Sequence, residues 1–318
     1  MKTLYIDCGM GAAGDMLTAA LLELVPEPEK FLSRFRQLGL SGVELTWEKV
    51  SKCGIMGSHV SVLVHGEEEH SEDAVRENGG QEHLHGHDSR QEHPYEHLPE
   101  YNCGHEHGQA SEHEHGDERV CEHEHRHARE HRHGYANESV HKHTHEHVHT
   151  DMQHIRKLIG SLDLPGQVKK DVEAVYGLIA AAESSVHGVP VEQIHFHEVG
   201  AMDAVADVTA VCLLMSQLAP EQVVVSPVNV GSGHVHCAHG ILPVPAPATL
   251  RLLKQVPIYS SSVKGELCTP TGAALLSHFA TGFGPIPLMR VKRAGYGMGS
   301  KDFEIANCVR VLLGESVG

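Results

Sequence analysis

Hydrophobic and polar positions follow two different periods along most of this sequence, and the period indicates which element each segment forms. A short apolar run predicts a strand over Lys2–Cys8, whereas helical spacing predicts helices over about Asp15–Leu24 and Glu29–Leu38. Further strands are predicted over Val43–Val50, His59–His65, Gln222–Val228, Leu288–Arg293 and Cys308–Leu313, and further helices over Asp151–Ile159, Gly166–Val186, Asp203–Leu214, Pro247–Lys254 and Gly272–Phe279. Strands interspersed with helices predict a compact α/β body, mixed α+β in detail.

Between residues 66 and 150 the hydrophobic period disappears. This tract holds 18 Glu and 3 Asp against 6 Arg and 1 Lys, so it carries −14 of the chain's net charge of −17. A segment so polar cannot bury enough apolar surface to fold. The sequence therefore predicts an N-terminal α/β segment at 1–65, a disordered His/Glu-rich insertion at 66–150, and an α/β segment at 151–318 that completes the body.

Most of the chain's 30 histidines lie in this tract, many of them two residues apart. In an extended chain, residues i and i+2 project to one side, so an H-x-H pair can close on one ion. Imidazole suits nickel, copper and zinc without selecting among them. We therefore interpret the tract as a store or donor of metal ions, with a solvated linker as the alternative. The densest run of candidate ligands contains His143, His145, His147 and His149.

Composition excludes several other classes of protein. No stretch approaches the ~18 apolar residues of a membrane span, and the first residues lack the pattern of a signal peptide. The eight cysteines contain no C-x-x-C pair, which favours reduced thiols over a zinc knuckle or redox motif. The net charge of −17 argues against nucleic acid as a partner. We expect a cytoplasmic protein that binds neither nucleic acid nor membrane.

The sharpest chemical pattern is the run HFHEVGAMDAVAD, which begins at His195. His195 and His197 share a side if this segment is extended, and Asp203 and Asp207 share one face of the following helix. Together with Glu198 they suit a divalent metal with exchangeable ligands and a nearby base. We predict His195, His197 and Glu198 to be catalytic, and the two histidines and two aspartates to bind metal. The alternative is that Asp203 only caps the helix and His195 is a core histidine.

Three later segments supply further candidates. Gly231 and Gly233 precede three possible metal ligands, His234, His236 and His239. The segment Thr269-Pro270-Thr271-Gly272 begins a helix, where hydroxyls and free backbone N–H groups can bind an anion; a plain N-cap is the alternative. The segment from Gly295 to Lys301 predicts either a phosphate-binding loop or a hairpin turn.

The segments DCGMGAAGDM, HFHEVGAMDAVAD, GSGHVHCAHGILPVPAPATLRLL, ELCTPTGAALL and AGYGMGSKDFEIANCVRVLLGE resemble the LarC family of nickel insertion proteins. They occur in the family's order, and a histidine-rich segment is itself typical of the family. The resemblance covers essentially the whole chain outside the tract.

This resemblance implies insertion of Ni²⁺ into pyridinium-3,5-bisthiocarboxylic acid mononucleotide, through two nickel–sulfur bonds and one nickel–carbon bond. The product is the nickel-pincer cofactor of lactate racemase. The resemblance further implies a cyclometallase of the lyase class that consumes CTP with Mg²⁺ or Mn²⁺. Family members continue into a domain associated with cytidine nucleotides, whereas this sequence stops at Gly318. We therefore expect CTP to be bound by a fused or separate C-terminal domain; a homo-oligomer remains open.

The segment IDCGMGAAGDM contains the spacing G-x-G-x-x-G after a predicted strand, as in dinucleotide-binding folds. Such folds need an acidic residue about twenty positions later, whereas this chain has a basic helical segment there. We predict instead a tight turn in which Gly9, Gly11 and Gly14 approach the substrate, and Asp7 and Asp15 face a metal or the cationic pyridinium. The alternative is that Asp15 caps a helix and the glycines permit close packing.

Two functions remain in competition. One is an enzyme that inserts nickel into an organic ligand, with His195, His197 and Glu198 at its centre. The other is a non-catalytic nickel reservoir or chaperone. The run HFHEVGAMDAVAD separates them, because storage does not need it.

We expect the chain to bind several Ni²⁺ ions per molecule at about pH 7.5, because its H-x-H pairs are numerous and neutral at that pH. The ions should be released as the histidines protonate near ~6.5. Isothermal titration calorimetry measures the stoichiometry, and a result of one ion or none would contradict the interpretation of the tract.

Overall fold

The structure is a computed structural model that describes residues 1–68, 150–196, 199–237 and 239–317. Within these ranges the helices are α1 (Gly14–Leu22), α2 (Pro28–Arg36), α3 (Met152–Ser161), α4 (Gly166–His187), α5 (Met202–Leu218), α6 (Pro247–Leu252) and α7 (Pro270–Phe279). The strands are β1 (Lys2–Asp7), β2 (Val43–Lys52), β3 (Ile55–Val64), β4 (Glu67–Glu68), β5 (Gln222–Val225), β6 (Val228–Asn229), β7 (Gly231–Ser232), β8 (His234–Cys237), β9 (Gly240–Pro243), β10 (Ile258–Tyr259), β11 (Gly265–Glu266), β12 (Gly282–Phe283), β13 (Met289–Met298) and β14 (Cys308–Ser316). The predicted α/β class is confirmed.

Eight strands of the described chain form one mixed sheet, in the order β12-β5-β1-β14-β13-β3-β2, with β4 paired to β3. The pairs β1–β5, β5–β12 and β13–β3 are parallel, and the others are antiparallel. Strand β14 lies between β1 and β13, so the last strand of the chain joins its first strand to the rest of the sheet.

The two faces of the sheet differ in what covers them. Leu4 and Ile6 of β1 belong to the main core, whereas Tyr5 between them joins a small apolar cluster with Val224 and Leu312. Alternate residues of a strand point to opposite faces. Side chains at odd-numbered positions of β1, including Asp7, therefore lie on the face away from the main core.

Helix α1 lies directly on β13 because two glycines leave room for it. A Cβ added at Gly295 would lie 2.1 Å from the carbonyl oxygen of Ala20, and one at Gly297 would lie 1.8 Å from that of Met16. The segment from Gly295 to Lys301 was predicted as a phosphate loop or a hairpin turn. That prediction was wrong as far as Met298, because these glycines serve helix packing inside a strand.

Helix α5 is buried between other helices, and twelve of its seventeen residues are buried. It packs against α1 and α4, and α4 in turn contacts α3, α6 and α7. A helix that is apolar on nearly every side needs such surroundings. None of the helices in the described part of the chain combines the length and apolarity that a membrane span needs.

Several predicted boundaries differ from the structure. The strand predicted over Gln222–Val228 is divided at Ser226-Pro227, after which β6 pairs with β10 in a separate small sheet. Glu67 and Glu68 still pair with β3, two residues beyond the predicted end of the N-terminal segment. Thr150 forms a bridge with Phe196. The rest of the predicted insertion, 69–149, lies outside the described residues.

We expect Gly297→Ala to lower the free energy of unfolding by about 3 kcal/mol or more, because its Cβ would meet rigid backbone and would separate α1 from β13. Gly160→Ala is the matched control, since Gly160 lies in α3 with no atom within 4 Å of an added Cβ. It should gain up to about 1 kcal/mol. Urea denaturation measures both values, and equal effects of the two substitutions would contradict the packing argument.

Candidate active site

A cleft of about 680 Å³ lies where the first turns of four helices meet. Its lining includes the N-terminal turns of α1, α5, α6 and α7, together with His59 of β3, residues of the β8–β9 hairpin and part of the segment 299–307. The N-terminus of a helix carries a partial positive charge. These N-terminal turns therefore contribute positive backbone potential, whereas the C-terminal turn of α4, which also lines the cleft, and the acidic side chains described below contribute negative potential.

Backbone pairing between the glycine loop and the start of α7 brings two of these helix ends together. Ala12 N–H donates to the carbonyl oxygen of Leu267 at 3.0 Å, and Thr269 N–H donates to that of Ala12 at 3.0 Å. Gly11 has φ +75°, and a Cβ there would lie 1.9 Å from the Leu267 oxygen; a Cβ at Gly272 would lie 2.1 Å from the Ala12 oxygen. The backbone of Leu267 therefore fills the space beside Gly11, and the backbone of Ala12 fills the space beside Gly272.

Asp15, Asp203 and Asp207 line the cleft together. Asp15 and Asp203 lie in the first turns of α1 and α5, and Asp207 lies one turn further along α5. A Cβ added at Gly14 would lie 2.6 Å from Asp207 Oδ2, so the glycine lets this carboxylate pack against the start of α1. We call these three residues the carboxylate trio.

The electrostatics of the trio favour a bound cation. Burial raises the pKa of Asp207 well above its ordinary value, and the charges of Asp15 and Asp203 raise it further. Burial also raises the pKa of Asp15, whereas the hydrogen bond from the Met16 backbone N–H and the charge interaction with His59 lower it. Asp207 Oδ1 is buried and has no hydrogen-bond partner among the described residues. A positive ligand would relieve both the mutual repulsion and this unsatisfied oxygen.

The two aspartates of the glycine loop do not come together. Asp7 lies on the other face of the sheet, where its Oδ2 accepts from Arg310 at 2.5 Å, and its Oδ1 accepts from the exposed Gly9 N–H at 3.2 Å. Neither Asp7 nor Gly9 lines the cleft, whereas Gly14 and Asp15 do. The alternation along β1 explains the separation.

The predicted glycine and threonine sites divide in the same way. Thr269 caps α7 by accepting from the Gly272 N–H at 3.2 Å, as in the plain N-cap alternative, and both Thr269 and Thr271 line the cleft. Gly231 and Gly233 do not line it. A Cβ at Gly231 would lie 2.0 Å from the Gly265 oxygen, so this glycine permits pairing of β7 with β11.

The predicted histidines are spread over several environments. His236 and His239 line the cleft. The centroid of the His239 ring lies 4.8 Å from that of the His187 ring. His195 and His234 are exposed and do not line the cleft. Asp203 Oδ1 accepts from the Ala204 N–H at 2.6 Å, but the N-cap of α5 is Ala201 and it has no side-chain cap hydrogen bond, so the alternative that Asp203 caps this helix was wrong. The remaining candidates lie outside the described residues: His143, His145, His147, His149, His197 and Glu198. In the part of the chain that the structure describes, no three His, Cys, Asp or Glu side chains are arranged to hold a metal ion.

Several lining residues had no signal in the sequence. His59 Nδ1 contacts the Met298 oxygen at 2.8 Å, and its Nε2 contacts Ser61 Oγ at 3.3 Å, which fixes the ring at the cleft. Glu183 pairs with His187 at 3.3 Å at the end of α4. Lys301 and Asn307 reach the cleft from the segment that follows β13. Only the i, i+4 relation of Glu183 and His187 was visible in advance.

Comparison with known proteins gives one consistent family. The family model described as nickel insertion protein matches residues 4–318. Two relatives carry the name pyridinium-3,5-bisthiocarboxylic acid mononucleotide nickel insertion protein. The one from Geobacillus kaustophilus is 32% identical to this chain over 316 residues, which are 99% of the chain. The one from Staphylococcus epidermidis is 31% identical over 311 residues, which are 98% of the chain. A protein of the same name from Desulfitobacterium hafniense is 49% identical over 169 residues, 53% of this chain and 42% of that protein. The chain spans 60% and 59% of the length of the first two relatives. No solved structure matches significantly.

We expect Asp207→Asn to raise the midpoint of thermal unfolding at about pH 7.5 by 2 °C or more, equivalent to roughly 1 kcal/mol. The folded state raises the pKa of Asp207, so it binds the proton more tightly than the unfolded chain does. Ionisation therefore costs stability as the pH rises above ~4, the ordinary pKa of aspartate. The gain from asparagine should shrink as the pH falls toward that value.

The matched control is Asp171→Asn, because Asp171 lies outside the cleft and has a partner, His278, at 3.1 Å. Its replacement should lower the midpoint. A pH series of melting curves measures both variants, and a lower midpoint for Asp207→Asn at about pH 7.5 would show that its carboxylate is stabilised by a partner.

Proposed function

The chain belongs to the family of nickel insertion proteins, and we propose that its cleft inserts Ni²⁺ into pyridinium-3,5-bisthiocarboxylic acid mononucleotide. The observation that carries this proposal is the carboxylate trio, with one buried oxygen that has no partner among the described residues. The pyridinium ring and the Ni²⁺ ion are both cationic, so both complement this part of the cleft.

The reaction asks for a base as well as for a charge. Two sulfur atoms of the substrate bind nickel, and the carbon between them loses its proton as its C–H electron pair becomes the nickel–carbon bond. No electron is gained or lost overall, and the proton passes to a carboxylate. Asp207 suits this role, because its raised pKa gives it a higher proton affinity than an ordinary aspartate has. Asp15 and Asp203 place further negative charge beside it, which complements the pyridinium nitrogen and the incoming ion.

We retain His195, His197 and Glu198 as candidate nickel ligands or bases. The residues beside them are well anchored: Phe196 N–H donates to the Thr150 oxygen at 2.8 Å, and Tyr176 donates to the Val199 oxygen at 3.1 Å. Val199 itself lines the cleft.

The same proposal extends to the rest of the pathway. It includes CTP with Mg²⁺ or Mn²⁺ as co-substrate, a fused or separate C-terminal domain that binds CTP, and lactate racemase as the enzyme that receives the cofactor. It also places the activity in the lyase class and the protein in the cytoplasm. The basis of these statements is the family resemblance.

A nickel reservoir is the second candidate function, and the composition of the tract at 66–150 favours it. A reservoir needs many exchangeable imidazoles, but it does not need a carboxylate trio packed against a helix end. The two functions therefore depend on different residues and can be separated by substitution.

We expect deletion of residues 69–149 to slow insertion at scarce nickel and to leave it nearly unchanged at abundant nickel, because free ion then reaches the cleft from solution. Asp207→Ala and His197→Ala should abolish insertion at every nickel concentration, since a base or ligand must lie within about 3 Å of the reacting atoms. Formation of the nickel-pincer nucleotide across a nickel titration measures both effects.

The matched control is Asp163→Asn, at an exposed aspartate outside the cleft, which should behave as the unchanged protein does. If abundant nickel restores insertion in Asp207→Ala but not in the deletion variant, the function belongs to the tract at 66–150 and not to the cleft.

A further inference from the structure

The segment 299–307 between β13 and β14, here called the β13–β14 loop, is fastened to the tip of the β2–β3 hairpin by one lysine. Lys52 Nζ donates to the carbonyl oxygens of Ser300 and Lys301 at 3.0 Å each, and to Asp302 Oδ1 at 2.6 Å. The Lys52 side chain is only 15% exposed. All three N–H donors of its ammonium are satisfied by the loop.

A buried asparagine fastens the same loop from its other end. Asn307 Nδ2 donates to the Lys301 oxygen at 3.0 Å, and Gly299 N–H donates to the Asn307 oxygen at 3.0 Å. The carbonyl of Lys301 therefore accepts from two side chains. Such double anchoring fixes the backbone from which the Lys301 side chain extends.

Lys301 is the sole lysine or arginine among the described residues that line the cleft. The acidic residues in that lining are Glu68, Glu183 and Glu266 in addition to the carboxylate trio. An anionic group would be repelled from such a cleft unless a cation received it. Among the described residues that line the cleft, Lys301 is therefore the one whose side chain supplies a permanent positive charge.

The first turn of α7 offers matching hydrogen-bond donors. Thr271 is 9% exposed and lines the cleft, and its hydroxyl has no hydrogen bond within the described residues. Helix α7 is ten residues long, so its N-terminus also carries the partial charge of a full helix.

We infer that Lys301 and the first turn of α7 bind the phosphate of the mononucleotide, and that Lys52 and Asn307 are positioning residues for Lys301. This inference rests on the proposed function, because it takes the substrate to be a pyridinium mononucleotide. The phosphate of such a ligand is anionic and its pyridinium nitrogen is cationic, and the cleft offers a separate partner for each.

The test compares two ligands that differ only in the phosphate, nicotinic acid mononucleotide and nicotinic acid riboside, by calorimetry on the full chain without nickel. The unchanged protein should bind the mononucleotide roughly 10- to 100-fold more tightly, as expected for charge-assisted hydrogen bonds to a phosphate. Lys301→Met should bring this ratio close to one, and Thr271→Val should lower it. Lys52→Met should lower it as well, and Lys52→Arg should restore part of it.

The matched control is Lys292→Met, at an exposed lysine on β13 that pairs with Glu315, and it should leave the ratio unchanged. If Lys52→Met fails to fold, the affinity ratios of Lys301→Met and Thr271→Val still test whether these residues bind the phosphate. A ratio near one for the unchanged protein would overturn the inference. So would an equal loss for both ligands in Lys301→Met, because that result would mean that Lys301 only balances the carboxylates.

An insertion assay separates this inference from the proposed function. Lys301→Met should raise KM and leave kcat nearly unchanged, whereas Asp207→Ala should remove kcat. If the protein binds the mononucleotide more tightly than the riboside but inserts no nickel, the phosphate site is supported and the proposed insertion function is wrong.

Discussion

The cleft depends on the pairing of Ala12 with the chain that enters α7. Two backbone hydrogen bonds join Ala12 to Leu267 and Thr269, and the absence of a side chain at Gly11 and Gly272 allows them to form. These hydrogen bonds are formed by residues directly before α1 and α7, so they also fix where each of the two helices begins. The N-termini of α1 and α7 consequently lie side by side, although their residues are far apart in the sequence.

Helix ends and carboxylates then balance each other. Asp15 and Asp203 lie in the first turns of their helices, where the partial positive charge favours an anion. This arrangement offsets part of the cost of placing three aspartates in one cleft. Asp207 lies one turn deeper, where burial and the charges of Asp15 and Asp203 raise its pKa well above the ordinary value of an aspartate.

The secondary structure was largely predictable, because amphipathic spacing and β alternation act over a few residues. Asp203 and Asp207 were also predictable as a pair, since i and i+4 share a helix face. The addition of Asp15 was not, because it depends on the contact between Gly14 and Asp207, which no local pattern records. Asp7 was misplaced for a different reason: the alternation of side chains along β1 puts it opposite Leu4 and Ile6. The glycines of β13 were mistaken for a loop because packing against a helix and turning a chain both require the absence of a side chain.

Residues 69–149 join the described chain at Glu68 and Thr150. Glu68 belongs to the lining, and Thr150 pairs with Phe196, which directly precedes His197. For a segment without fixed structure, as its composition predicts, doubling its length changes the cost of closing the loop by only about 0.6 kcal/mol. Such a segment can gain or lose many residues without changing the geometry of the cleft, so the capacity of the protein for metal ions and the chemistry of its cleft are free to evolve separately.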